Sequence, residues 1–273
     1  VARSATASGA PAAAEDATLL LDKVGIGTAN AAYSLRKLRA DYSGKCVKVR
    51  RASDDDEADV AFDGSNAVSG TSVITVTSGD YSGAMTLADF TSGTNGFVVT
   101  WYDQSGSGYN GTQGTAASQP KLVNSGTILT DNGKPTLAFD GTNDFLGVGE
   151  NLFGNTGLGT GPMSLWGVAS IDFETLFGNR MTLIGEGTAS SGNYMTNYGD
   201  KIGMTFQNVT DYPMQWVRVS ASGSANDSLT DTNFSTESDD QMIVAYTWEE
   251  SGTHTLATNG GTAATSTFTP NPY

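Results

Sequence analysis

The stretch Phe97-Val-Val-Thr-Trp-Tyr-Asp-Gln-Ser-Gly106 contains the features that decide the fold class. Its first part, up to Tyr102, is an apolar run of strand length that is rich in β-branched and aromatic residues. We expect this run to be a β-strand that is buried on both faces. Its second part, from Asp103 to Gly106, consists of turn-forming residues and ends the strand.

Other runs of strand length occur along the whole sequence, and turn residues separate them. Glycine alone contributes 34 residues, which indicates many short strands joined by many connections. This pattern predicts an all-β fold, and we expect a concanavalin-like β-sandwich, or jelly roll. The other predicted strands cover residues 47–51, 60–62, 73–76, 135–139, 163–169, 181–184, 201–206, 216–220, 241–248 and 254–257, with turns at 131–133, 140–143 and 259–261.

One segment near the N-terminus has helical spacing instead. Leu35, Leu38 and Tyr42 recur at intervals of three and four residues, so we expect one short N-terminal helix over 31–42. Residues 1–18 are rich in Ala and Ser and are predicted to be a linker or an extended arm. We expect residues 19–273 to form one sandwich, with an edge completed by a neighbouring subunit or by a continuation of the chain.

The charge of the chain limits the classes of partner. The net charge is −15 and the sequence pI is about 4.2. A negative field repels phosphate groups, so we expect neither nucleic acid nor an anionic membrane as a partner.

Few residues could support metal or nucleophile chemistry. Cys46 is the single cysteine, so a cysteine-based zinc site is excluded, and its alternating surroundings predict a buried structural thiol. His254 is the single histidine and lies in a predicted strand, so we expect no catalytic triad. The acidic run Asp54-Asp-Asp-Glu57 lacks EF-hand spacing, and we interpret it as a solvated turn rather than a Ca²⁺ site. Arg50-Arg51 is expected to form salt bridges with nearby acids, and we predict neither a metal nor a cofactor.

Two segments are distinctive enough to indicate a family. The first is Ala32-Tyr-Ser-Leu-Arg-Lys-Leu-Arg-Ala-Asp-Tyr-Ser-Gly44, continued by Val49-Arg-Arg-Ala-Ser-Asp-Asp55 and Val60-Ala-Phe-Asp-Gly64. The second is Thr100-Trp-Tyr-Asp-Gln-Ser-Gly-Ser-Gly-Tyr-Asn-Gly-Thr-Gln113, followed by Gln119-Pro-Lys-Leu-Val123. Together they resemble the N-terminal half of the catalytic domain of fungal-type α-L-arabinofuranosidase B. They are also similar to many structural proteins of tailed bacteriophages.

The resemblance implies a concanavalin-like sandwich, and Gly133-Lys-Pro-Thr-Leu-Ala-Phe-Asp-Gly-Thr-Asn-Asp-Phe145 is similar to an element of laminin-G-like domains. The family's nucleophilic Glu lies in an Asp-Met-Glu-Asn segment near a Cys-Cys pair, and the corresponding region here reads Lys201-Ile-Gly-Met-Thr-Phe-Gln-Asn208. The family's acid/base Asp comes after the position of Asn259–Ala264 and is not matched before Tyr273. Retaining glycosidases need two carboxyl groups about 5–5.5 Å apart. We therefore expect no catalytic residues and a protein that is not an enzyme.

The strongest candidate binding site is the string Trp101, Tyr102, Asp103 and Gln104. In one interpretation an aromatic ring stacks on a glycan while the polar side chains fix its orientation. In the other, which we favour, the Asp and Ser side chains bond to backbone N–H groups where the strand turns, and the role is structural.

These features lead to a function hypothesis with two alternatives. We expect a virion structural protein of a tailed phage, either a decoration, fibre or adhesin subunit, located on the virion surface. Its expected partners are other virion proteins and host-surface glycans, and we expect a homo-oligomer. One alternative is a glycoside hydrolase of the arabinofuranosidase type, with Glu186 or Asp200 as candidate carboxylates. The other is a bacterial surface adhesin or carbohydrate-binding module.

Overall fold

The structure is a computed structural model, and it describes only part of the chain. The described residues are 19–23, 29–149, 163–170, 180–185, 201–209, 212–220, 227–229, 241–249, 253–259 and 263–267. They are mostly β-strands in antiparallel sheets, which confirms the predicted all-β class. The predicted linker at 1–18 lies outside the described residues.

Ten short strands lie in the described residues before residue 150. They are β1 (Val47–Arg51), β2 (Glu57–Val60), β3 (Ile74–Ser78), β4 (Gly96–Trp101), β5 (Gly111–Thr112), β6 (Lys121–Asn124), β7 (Thr127–Ile128), β8 (Thr130–Asp131), β9 (Lys134–Pro135) and β10 (Gly147–Val148).

Eight described strands follow. They are β11 (Met163–Ala169), β12 (Arg180–Gly185), β13 (Lys201–Val209), β14 (Tyr212–Ser220), β15 (Asp227–Leu229), β16 (Met242–Trp248), β17 (Thr253–Thr258) and β18 (Ala264–Thr267).

The described helices are short. They are α1 (Leu20–Lys23), α2 (Leu87–Phe90) and a 3₁₀ turn at Ala116–Ser118. The hydroxyl of Thr86 caps α2 by accepting a hydrogen bond of 3.2 Å from the N–H of Asp89. In the described part of the chain, no helix has the length and apolar character to cross a membrane.

The chain divides into two compact units. The first contains residues 1–138 and 145–149, and the second contains residues 139–144 and 150–273. In the first unit an eight-stranded sheet has the order β10-β5-β4-β1-β2-β3, with β6 paired to β4 and β7 to β6, and β8 pairs with β9. The described strands of the second unit form two four-stranded sheets, β11-β16-β17-β18 and β12-β13-β14-β15. That residues 19–273 form one sandwich stays a prediction.

The core of the first unit follows from strict alternation on β1 and β2. Val47 and Val49 on β1, and Ala58 and Val60 on β2, are fully buried, while the residues between them are half-buried. Successive side chains of a strand point to opposite faces, so one face of this sheet is apolar and the other polar. Further buried residues pack on the apolar face: Leu35, Cys46, Val68, Ile74, Leu87, Phe90, Val98, Leu122 and Val123.

A β-bulge changes the alternation of β4. Val98 pairs with Val49, but the next pair joins Thr100 to Lys48, so Val99 is the extra residue. Trp101 consequently pairs with Val47 and packs against the apolar core.

The tight hairpins use residues that accept a left-handed backbone. Asn132 and Gly133 connect β8 and β9 with φ of 47° and 72°, which confirms the turn predicted there. Ser125 and Gly126 connect β6 and β7 in the same way, with φ of 47° and 83°.

The helix predicted over 31–42 is wrong. The segment is irregular and contains no helix, and its backbone bonds go to distant residues: the N–H of Lys37 to the carbonyl of Asn66 at 2.7 Å, and the N–H of Val68 to the carbonyl of Leu35 at 2.8 Å. Leu35 is buried in the core of the first unit. Tertiary partners therefore outweigh the helical spacing of its apolar residues.

Two strand predictions are also corrected. The run Phe97–Tyr102 is not buried on both faces, because Val98 is fully buried while Phe97 is only half-buried. The strand predicted over 135–139 is limited to Lys134–Pro135.

Replacement of a core residue should destabilise the first unit. Leu122 on β6 is fully buried, so Leu122→Ala is expected to lower the free energy of unfolding by about 2–5 kcal/mol through lost burial and a residual cavity. Urea denaturation followed by tryptophan fluorescence measures this change. The control Val73→Ala removes a side chain that is 57% exposed, and its effect should be several-fold smaller.

Candidate functional site

The corner after β4 is organised around the carboxylate of Asp103. Its Oδ1 accepts hydrogen bonds of 2.8 Å from the N–H groups of Ala32 and Ser105. Its Oδ2 accepts one of 2.7 Å from the Ser105 hydroxyl and one of 3.2 Å from the N–H of Tyr109. Asp103 is buried, and these four bonds satisfy both of its oxygens within the chain.

Gln104 is fully buried and connects the same corner to the segment 32–38. Its Oε1 accepts a hydrogen bond of 2.8 Å from the N–H of Leu38, and its Nε2 donates to the carbonyls of Ser34 and Arg36 at 2.8 and 3.1 Å. Its own N–H donates to the carbonyl of Ala32 at 2.8 Å. One side chain thus supplies the hydrogen bonds that a neighbouring strand would otherwise supply to this segment.

The two aromatic residues of the string, Trp101 and Tyr102, contact different parts of the chain. The ring of Trp101 lies 5.8 Å from that of Tyr33, whose hydroxyl donates to the carbonyl of Tyr109. The hydroxyl of Tyr102 donates to Oδ1 of Asp59 at 2.6 Å. Burial, together with this bond to a carboxylate, raises the pKa of Tyr102.

The four predicted site residues therefore lie along one corner. The polar side-chain atoms of Asp103 and Gln104 all have hydrogen-bond partners within the chain. Buried side chains whose polar atoms are all hydrogen-bonded within the chain are typical of a structural role. Glycan binding by Trp101, Tyr102, Asp103 and Gln104 stays a prediction.

A second arrangement was not predicted from the sequence. The polar face of the first unit's sheet carries Lys48 and Arg50 on β1 opposite Asp59 and Glu57 on β2. The ammonium of Lys48 lies 3.8 Å from a carboxylate oxygen of Glu57. We call this surface, defined by Lys48, Arg50, Glu57, Asp59, Phe97 and Lys121, the charged face.

Phe97 lies between two cations on the charged face. Arg50 and Lys121 are its cross-strand neighbours, and their charged groups lie 5.2 and 5.9 Å from the centre of its ring. An aromatic ring beside two cations and two carboxylates is a combination that can bind a polar ligand. The alternation of Lys48 and Arg50 with buried valines was the sequence signal for this surface.

The acidic turn between β1 and β2 pairs with arginines. Arg50 contacts Asp55 at 2.6 Å, and Arg51 contacts Asp54 at 3.3 Å, which confirms the predicted salt bridges. Among the described residues, no three His, Cys, Asp or Glu side chains form a group that could hold a metal ion. A role for Ca²⁺ stays untested.

Cys46 and His254 have the surroundings that the sequence predicted. Cys46 is buried, its thiol contacts the carbonyl of Ser34 at 3.2 Å, and burial raises the pKa of that thiol. His254 is buried on β17, and its Nδ1 lies 2.7 Å from the hydroxyl of Tyr246. Glu186 and Asp200, the carboxylates considered for a hydrolase, lie outside the described residues.

Comparison with known proteins gives matches among solved structures alone. No family model matches the sequence, and no curated protein matches it. An arabinofuranosidase complexed with arabinofuranosyl-α-1,2-xylobiose is 17% identical with a TM-score of 0.50, over 86% of this chain and 49% of that one. A GH54 α-L-arabinofuranosidase soaked with a cyclic sulfate inhibitor is 16% identical with a TM-score of 0.46, over 86% and 50%. The chain thus spans about half the length of the solved structures that it matches.

These matches correct the expected function class. The resemblance to arabinofuranosidase holds at the level of the fold, and none of the matched structures is a phage protein. The expectation that the chain is not an enzyme is corrected by the match to an arabinofuranosidase, and no match supports the expected virion role. That expectation depended on missing motifs, and a fold persists at identities where motifs are no longer recognisable.

Removal of the Gln104 side chain should release the segment 32–38. Gln104→Ala leaves the carbonyls of Ser34 and Arg36 and the N–H of Leu38 without these partners, at about 1–3 kcal/mol for each group that stays unsatisfied and shielded from water. Hydrogen exchange should show faster exchange of the Leu38 amide. The control Ser107→Ala changes an exposed side chain of the same corner. An unchanged exchange rate of the Leu38 amide in Gln104→Ala would contradict the proposed role of Gln104 in holding this segment.

Proposed function

We propose that the chain is a glycoside hydrolase domain that acts on saccharides bearing arabinofuranosyl groups. The observation that supports this most is the likeness in fold to an arabinofuranosidase over 86% of the chain. We also propose that its sheets form a concanavalin-like jelly roll. The sequence further leads us to propose that the protein is extracellular and associates with copies of itself.

Glycoside hydrolysis by this chemistry uses two carboxyl groups and no cofactor. One protonates the leaving oxygen, and the other acts as nucleophile or activates water, at separations of about 5–5.5 Å in retaining and 6.5–9.5 Å in inverting enzymes. Glu57 and Asp59 lie two residues apart on the same side of β2, and such neighbours are about 7 Å apart along a strand. They are our candidates within the described part of the chain.

The charged face gives these two carboxylates different surroundings. Asp59 accepts a hydrogen bond from the Tyr102 hydroxyl, which fixes its orientation. Glu57 has the Lys48 ammonium nearby at 3.8 Å and is about one quarter exposed, with a side-chain exposure of 27%. The two carboxyl groups therefore differ in their partners, a phenol hydroxyl for Asp59 and an ammonium for Glu57, as two different roles in one reaction require.

Activity on a chromogenic arabinofuranoside tests the proposal. The full chain should release 4-nitrophenol from 4-nitrophenyl α-L-arabinofuranoside, and Glu57→Gln and Asp59→Asn should each lower kcat by about 100-fold or more. The control Asp54→Asn changes an acid in the adjoining turn, whose partner is Arg51, and should keep the activity.

Two results would contradict parts of this proposal. A folded wild-type chain that does not hydrolyse the arabinofuranoside would refute the proposed reaction. Full activity in Glu57→Gln and Asp59→Asn, combined with loss in Glu186→Gln or Asp200→Asn, would keep the reaction but refute its assignment to the charged face.

A further inference from the structure

The sheet β11-β16-β17-β18 of the second unit is buried on one side only. Met242, Val244 and Tyr246 on β16 and Leu256 on β17 are buried and point to the same side. The residues between them alternate to the opposite side. This sheet therefore has an inner face and an outer face of different composition.

Large apolar side chains are exposed on the outer face. Trp166 and Val168 on β11 are each 63% exposed, and Ile243 on β16 is 51% exposed. Val168 pairs directly with Ile243, and Trp166 pairs with Ala245, so the three side chains are neighbours across two strands. Contiguous exposed apolar surface of this kind marks a binding site more often than scattered residues do.

A row of hydroxyl groups borders these side chains. Ser164 pairs with Thr247, Thr247 pairs with Thr255, and Thr255 pairs with Thr265, so the row crosses all four strands. The hydroxyls of Thr247 and Thr255 are hydrogen-bonded to each other. We call the outward side chains of these four strands the uncharged face, since its described residues are Ser, Thr, Ala, Val, Ile and Trp.

The strands of this face carry no charged side chains, which favours a neutral ligand. The chain as a whole carries a net charge of −15, yet none of the described outward residues within the four strands is ionisable, and the exposed Glu249 follows β16 at the edge of the face. A neutral ligand loses no favourable ion pair on such a surface. Sugar rings present apolar C–H faces and peripheral hydroxyls, which complement an indole ring beside a row of Ser and Thr hydroxyls.

The dimensions of the face disfavour a second copy of the chain. Four strands span about 15 Å across and their length is about 20 Å, which gives about 300 Å². A stable protein interface buries about 800 Å² on each partner. Two copies would also bring together chains that each carry a charge of −15.

We propose that the uncharged face binds neutral polysaccharide, with Trp166 stacked on a sugar ring and the neighbouring hydroxyls bonded to the sugar. The choice of an arabinose-bearing polysaccharide rests on the proposed function. The face holds the polymer, while hydrolysis takes place elsewhere on the chain.

Retention on insoluble arabinoxylan tests this proposal. The full chain should bind it, and Trp166→Ala should weaken binding by about 10-fold or more through loss of the stacked ring. Trp166→Phe keeps an aromatic ring and should retain most of the binding. The control Phe139→Ala removes an exposed aromatic side chain outside this sheet and should leave retention unchanged. Val168→Ser is a second variant of the face, and circular dichroism verifies that each variant folds.

Parallel measurements separate this inference from the proposed reaction. Hydrolysis of 4-nitrophenyl α-L-arabinofuranoside should be the same in Trp166→Ala as in the wild type. If the wild type does not hydrolyse the arabinofuranoside but binds arabinoxylan through Trp166, the reaction fails and the binding face stands. Equal retention of wild type, Trp166→Ala and Val168→Ser overturns the inference. So does light scattering that shows a dimer which Trp166→Ala converts to a monomer while retention is unchanged.

Discussion

The hydrogen bonds of Gln104 are the constraint on which the arrangement of the first unit depends. A segment outside the regular strands needs other partners for its backbone groups, and residues 32–38 obtain several of theirs from one amide side chain. Leu35 enters the apolar core from this segment. Asp103 fixes the segment's beginning through the N–H of Ala32, so two consecutive side chains hold it where β4 ends. At this corner, side chains rather than a neighbouring strand supply the hydrogen bonds that attach the segment to the sheet.

Much of the fold can be predicted from the sequence because strand alternation and turn chemistry are local. The valines of β1 and the turn at Asn132–Gly133 follow from residue type and spacing alone. The segment 31–42 could not be predicted in the same way, since its spacing fits a helix while its partners lie some 30 to 70 residues further along the chain. The same alternation predicts that Lys48 and Arg50 share the polar side of β1. The pairing of Arg50 with Glu57 and of Phe97 with Lys121 could not be predicted, because it depends on the register between strands.

Function was harder to predict than fold for a related reason. The resemblance in the first half of the sequence indicated an arabinofuranosidase-like architecture, which the solved structures support at the level of fold. The missing nucleophile motif then favoured a structural role. Sequence motifs test whether a known arrangement of carboxyl groups is present, but they do not test whether the same sheet offers another. Glu57 and Asp59 illustrate this limit, because their different partners, the Lys48 ammonium and the Tyr102 hydroxyl, appear only in the folded sheet.

The bulge at Val99 has a consequence for how this strand can change over evolution. Because of that one extra residue, Thr100 lies on the side of Lys48 and Trp101 on the side of Val47. Deletion of that one residue would leave Thr100 opposite Lys48 and Trp101 opposite Val47 in a regular ladder, so the indole would stay in the core. Insertion of one further residue would instead exchange the sides of every residue that follows it. The strand can therefore lose one residue by giving up its bulge, but it cannot gain one without a second bulge. Insertions in related sequences should accordingly accumulate in the turns and avoid this strand.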